Sequence, residues 1–94
     1  MNMGRDVAQL ARHLSARLEE LEGDCALLRG WDQATDGRVE ARFPGRDAGA
    51  LARRLTGIVP CAADGPDRLV FSLTPDVPFE ALDTVWGVLF ESLS

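Results

Sequence analysis

Between Arg38 and Phe43 the sequence alternates strictly between polar and apolar side chains, and this pattern constrains the fold more than any other. Val39, Ala41 and Phe43 lie on one side of an extended chain, whereas the arginines and the glutamate between them lie on the other. A strand with one apolar and one polar face is typical of an antiparallel sheet that is covered on one side. We therefore expect a sheet with a solvated outer face.

Three further segments have the composition of strands. The short apolar run Cys25–Trp31 is expected to form a hairpin with the alternating strand through the turn at Asp36–Gly37. The segments Ile58–Cys61 and Leu69–Leu73 are two more strands, and a polar turn joins them. Because Pro60 has no amide hydrogen to donate, the first of these two strands is predicted either to lie at an edge of the sheet or to end early.

Three amphipathic segments flank and separate the strands, and their apolar residues recur at the three- and four-residue steps of a helix. The first is predicted to begin after Asp6 and to end at Gly23, the second to run from Asp47 to Gly57, and the third to begin at Pro78. The order helix, hairpin, helix, two strands, helix predicts one α+β domain of all 94 residues. The expected architecture is a two-layer sandwich, with an antiparallel sheet and the helices on one face.

Composition argues against several classes of function. The net charge is −5 and all ten basic residues are arginine, so binding to a nucleic-acid backbone, which needs a basic face, is not expected. Without lysine, the chain has no lysine Schiff base, no lysine general base and no phosphate-loop lysine. No apolar run approaches the ~20 residues of a membrane span, and no secretory signal is evident at the N-terminus. We therefore expect a cytoplasmic protein that does not enter a membrane.

Residues with catalytic or metal-binding chemistry are few and scattered. Cys25 and Cys61 lie on predicted strands and are expected to be buried thiols without a disulfide. The single histidine, His13, has no partner cluster in the sequence and is expected at the surface or at the boundary of the core. No serine has a histidine and a carboxylate at a suggestive spacing. We therefore predict no cofactor, no metal and no catalytic residue, and we do not expect an enzyme.

Five short motifs follow one another along the chain in a recognisable order. They are Phe43–Gly45, Ala50–Leu55, Gly57–Val59, Val70–Leu73 and Phe79–Asp83. Together with the long first helix, this order resembles the small C-terminal domain of fold-type-I pyridoxal-phosphate enzymes. The similarity is greatest to the class V aminotransferase and cysteine desulfurase group.

The resemblance implies the fold of that domain without its chemistry. In the family, the large domain supplies the Schiff-base lysine, and an arginine on the late strand binds the substrate carboxylate in a bidentate geometry. Here Val70 occupies the position of that arginine, and Arg68 lies two residues earlier, about 6–7 Å along the strand. The resemblance therefore implies a stand-alone, non-catalytic domain.

Three functions remain open on these grounds. The leading hypothesis is association with a second copy or with a separate protein, and Trp86 and Phe90 on the last helix are the residues expected at such an interface. The first alternative is a regulatory module for an amino-acid-type ligand, with Arg68, Ser72 and Arg42 as polar contacts on the open sheet face. The second alternative is an acidic chaperone-like adaptor that presents an apolar groove to an unfolded client.

Overall fold

Residues 7–30 and 37–93 are described by the computed structural model, and they form three α-helices and a four-stranded sheet. The helices are α1 (Val7–Glu19), α2 (Ala48–Leu55) and α3 (Phe79–Leu93), with a short 3-10 helix at Glu22–Asp24. The strands are β1 (Ala26–Arg29), β2 (Arg38–Arg42), β3 (Cys61–Ala63) and β4 (Arg68–Ser72). The predicted positions Asp6, Trp31 and Asp36 lie outside the described residues.

The strands form one antiparallel sheet in the order β1-β2-β4-β3. The two central strands, β2 and β4, pair from Arg38 opposite Ser72 to Arg42 opposite Arg68. β1 and β2 form the predicted antiparallel pair, with an irregularity in register between Leu27 and Arg29.

The edge strand β3 begins later than the sequence suggests. In the described sheet β3 pairs only with β4, which confirms the predicted edge position. The strand starts at Cys61, however, because the amides of Ile58 and Val59 both donate to the carbonyl of Leu55. That turn at the end of α2 uses the amides that a longer strand would need for its ladder.

The core lies between the sheet and the layer of helices. Val39 and Ala41 of β2 and Leu69 and Phe71 of β4 are fully buried. The helices cover them with Leu10, Leu14 and Leu18 from α1, Leu51 and Leu55 from α2, and Leu82, Val85 and Leu89 from α3. The predicted α+β sandwich, with helices on one face of an antiparallel sheet, is confirmed.

Four predicted helix termini lie within the described residues, and three of them agree with the structure to within two residues: α2 begins after Asp47 and ends at Leu55, just before Gly57, and α3 begins at Phe79, directly after Pro78. Asp47 caps α2 as expected, since its carboxylate accepts a hydrogen bond from the amide of Ala50 at 3.2 Å. The predicted end of α1 at Gly23 is wrong. The helix ends at Glu19, the chain tightens into the 3-10 turn, and the left-handed residue there is Glu22 with φ 51°.

Candidate functional site

Phe90 and Leu28 are the two large apolar side chains that are exposed among the described residues. Phe90 lies on α3, where 55% of its surface is exposed, and it stacks on half-buried Trp86 with ring centroids 5.1 Å apart and an interplanar angle of 18°. Residues four positions apart share a helix face, which is why the two rings meet. Full burial of such a side chain stabilises a fold by ~1.5–3 kcal/mol, and an exposed ring lacks much of this stabilisation.

Arg17 of α1 also contacts the Trp86 ring. Its guanidinium carbon lies 4.5 Å from the ring centroid, which is within the range of a cation–π interaction. The same guanidinium is fixed by two carboxylates, with Nε 3.2 Å from Asp83 Oδ1 and Nη1 3.2 Å from Glu20 Oε2. Trp86 therefore contacts both Phe90 and an arginine that is ion-paired with two carboxylates.

His13 extends this network along the seam between α1 and α3. Its Nε2 lies 2.8 Å from Asp83 Oδ1, and its ring packs edge-on against Phe79 at 5.3 Å. The hydrogen bond from His13 is the main cause that lowers the pKa of Asp83, with the charges of His13 and Arg17 adding to it. A carboxyl shifted in this direction is a poor general base near neutral pH. No spacing pattern in the sequence indicates this contact, because 70 positions separate the two residues.

A cavity of about 300 Å³ opens beside Phe90, between the end of α1 and the end of α3. Three apolar and three acidic residues line it: Leu21, Phe90, Leu93, Glu20, Glu22 and Asp24. An exposed aromatic ring beside a concave surface is the arrangement found at the energetic centre of protein interfaces. We refer to Trp86, Phe90 and this cavity as the aromatic patch.

The residues predicted for ligand binding lie on the sheet face opposite the helices. Arg42 and Arg68 are directly opposite each other on β2 and β4. Ser72 is opposite Arg38 instead, at the other end of the pair, about 13 Å along the strand from Arg68. The fold therefore brings the two arginines together and separates the serine from them.

Two of the arginines on this face have carboxylate partners. Arg42 Nε donates to Asp67 Oδ2 at 2.8 Å, and this hydrogen bond is the main cause that lowers the pKa of Asp67. Arg38 Nε lies 3.0 Å from Glu40 Oε2. The guanidinium of exposed Arg68 has no ion pair or hydrogen bond with another described side chain, and it acts on Asp67 only through its charge.

Both cysteines are free thiols at partly buried positions. Burial raises the pKa of Cys25 to about 12 and that of Cys61 to about 11. Because the thiolate is the reactive form, neither is a good nucleophile at neutral pH. Within residues 7–30 and 37–93, no group of three or more potential ligands is placed to hold a metal ion, and no helix is long and apolar enough to cross a membrane.

In comparisons with known proteins, no protein-family model and no curated protein matches this chain. The similarity to the aminotransferase small domain therefore stays a prediction based on sequence motifs. Val70, at the position of the family's arginine, is half-buried on the open sheet face opposite Glu40. Inference about function rests on the aromatic patch and on the open sheet face.

Proposed function

We propose that this chain is a non-catalytic interaction domain that binds a separate protein through the aromatic patch. The observation that carries the proposal is Phe90, which is 55% exposed and yet stacked on Trp86 at 5.1 Å beside a concave surface. The large apolar side chains on the inner face of α3, such as Leu82 and Leu89, are buried, whereas Phe90 is exposed. Phe90 thus contributes little to the core and has apolar area available to a partner.

The energetics of the patch favour binding. Interfaces concentrate their free energy in a few aromatic and arginine side chains that become fully dry. Burying the 55% of Phe90 that is exposed contributes about 1–1.5 kcal/mol. The contact of Trp86 with Arg17 lowers the ~0.5–1.5 kcal/mol that ordering this side chain would otherwise cost on binding.

The charges around the cavity indicate the chemistry of the partner. Glu20, Glu22 and Asp24 surround an apolar floor, so a segment with an apolar residue flanked by arginine or lysine complements both features. A symmetric dimer of this chain through the same patch would bring the two sets of carboxylates together, since a two-fold interface pairs a surface with itself. The acidic rim therefore favours a different protein over a second copy.

A site-specific crosslinking experiment tests the proposal. The photoreactive residue p-benzoylphenylalanine replaces Phe90 in one variant and Leu28, exposed on β1, in a matched control. After irradiation in lysate of the native source, position 90 should give a protein adduct that position 28 does not, and the crosslinked peptide should contain an apolar residue flanked by basic ones. Identical adducts from both positions, or an adduct of this chain with itself at position 90, would refute the proposal.

A further inference from the structure

The open sheet face carries positive charge on a chain whose net charge is −5. β2 and β4 place Arg38, Arg42 and Arg68 on this face, and Arg29 of β1 is opposite Glu40 in the register of the sheet. Glu40 is the one acidic residue within the four strands. The two sides of the sandwich therefore differ in charge, with an acidic rim at the aromatic patch and a basic surface across the sheet.

Arg42 and Arg68 are two like charges placed directly opposite each other on this face. Directly opposed residues on antiparallel strands have Cβ atoms ~4.5–5.5 Å apart, and like charges in such positions are destabilising. Asp67 neutralises Arg42 at 2.8 Å, whereas the guanidinium of Arg68 has no hydrogen-bonded or ion-paired partner among the described side chains. An anionic group between the two guanidiniums would remove the repulsion and satisfy the free donors.

We propose that the open sheet face binds an acidic segment of a partner protein, whose carboxylates bridge Arg42 and Arg68 and extend along β2 toward Arg38. Charge complementarity is the basis of this assignment. The site is distinct from the aromatic patch, which lies in the helical layer and has acidic residues at its rim. The domain would then hold two chemically different segments on its two sides.

The geometry favours an acidic protein segment over the other anionic occupants. Arg38 and Arg42 are about 13 Å apart along β2, so a ligand that reaches both has to be extended. Phe71, the one aromatic residue in the strands, is buried, so the face has no ring on which nucleic-acid bases can stack. A second copy bound here through another part of its surface would leave its own sheet face open, so the contact would build rings or open chains of copies.

A titration with a defined peptide tests the proposal. The probe is a synthetic glutamate-rich peptide of about 20 residues, long enough to cross the sheet when extended at ~3.3 Å per residue, and its control has glutamine at every glutamate. In two-dimensional amide NMR spectra of the full chain, the acidic peptide should shift residues 38–42 and 68–72 and leave α3 unchanged. The glutamine peptide should shift neither strand.

Matched substitutions separate a specific site from general charge attraction. Arg68→Gln should weaken binding of the acidic peptide about tenfold or more, as expected for the loss of a charge-assisted hydrogen bond. Arg53→Gln makes an equal change of charge at an exposed position of α2. It should alter the affinity for the acidic peptide by about twofold or less, because salt screens charges at long range. The Tm of Arg68→Gln should equal or exceed that of the unmodified chain, since the opposed charges are relieved.

Several results would overturn the assignment. It fails if the glutamine peptide binds as well as the acidic one, or if Arg53→Gln and Arg68→Gln weaken binding equally. It also fails if a single-stranded oligonucleotide binds this face more tightly than the peptide, or if the chain self-associates through residues 38–42. Phe90→Ala should leave acidic-peptide binding intact, so failure of the aromatic patch and failure of this site are distinguishable.

Discussion

Gly37 is the position where the structure predicts the largest effect of a single methyl group. It has φ 81° immediately before β2, and its carbonyl accepts a hydrogen bond from the amide of Leu73 at 2.7 Å. A Cβ at this position would overlap the carbonyl oxygen of Leu73. Because the overlapping atom is backbone at the end of β4, no side-chain rotation relieves the clash.

The expected loss for Gly37→Ala follows from two contributions. A left-handed conformation costs an L-residue ~1–2 kcal/mol, and loss of the hydrogen bond to Leu73 adds ~0.5–1.5 kcal/mol. The combined loss of about 2–3 kcal/mol is a large part of the ~5–14 kcal/mol typical for a chain of this length. At ~4–8 °C per kcal/mol, the Tm should fall by about 10–20 °C.

Substitutions at two other glycines separate the cost of the left-handed conformation from the cost of the clash with Leu73. Gly45 also has a positive φ, 76°, but a Cβ there meets nothing within 4 Å, so Gly45→Ala should lose only the conformational ~1–2 kcal/mol. At Gly57, where φ is not positive, a Cβ is equally free of contacts, and alanine should be neutral or stabilise by up to ~1 kcal/mol. Urea unfolding followed by circular dichroism measures all three. If Gly37→Ala loses no more than Gly45→Ala, the close approach of Gly37 to Leu73 is wrong.

Three further predictions concern charge, thiol reactivity and capping. The hydrogen bond from Arg42 lowers the pKa of Asp67 in the folded state below its usual 3.8. The ionised Asp67 therefore stabilises the fold above pH 3.8, and this stabilisation is lost as the pH falls through the folded-state pKa. Asp67→Asn should therefore flatten the acid limb of a stability–pH curve, and an unchanged limb would contradict this. Iodoacetamide at neutral pH should label Cys25 and Cys61 slowly until denaturant is added, since burial raises the pKa of both thiols. Rapid labelling of the folded chain would contradict the burial of these thiols. Asp47→Ala should lower the free energy of unfolding by ~1 kcal/mol, whereas no loss would mean that the cap is not formed.

The sheet and its core were predictable because their patterns are local. Alternation in β2 and β4 assigned Val39, Ala41, Leu69 and Phe71 to the buried face without any knowledge of tertiary structure. The errors fall at element ends, where neighbouring backbone groups compete for the same donors. The turn that closes on Leu55 delays β3, and the tightening of the chain after Glu19 ends α1 early.

The candidate surfaces were predictable only where sequence spacing defines a contact. Trp86 and Phe90 are four positions apart, so their stacking follows from the helix itself. The contact of Arg17 with Trp86 depends on how α1 packs against α3, and no spacing rule reports that. Similarly, the shared face of Arg42 and Arg68 was evident from alternation, whereas their direct opposition depends on the register between β2 and β4.

The affinity of Phe90→Ala for the partner captured at position 90 is the most direct test of the interaction proposal. Isothermal titration calorimetry of the purified pair should show binding about 30-fold weaker than with the unmodified chain, which corresponds to the loss of ~2 kcal/mol at an interface centre. The Tm should fall little, because the side chain is 55% exposed, and Leu28→Ala should bind within about twofold of the unmodified chain. If Phe90→Ala binds as tightly as the unmodified chain, the aromatic patch is not the interface and the proposed function is wrong.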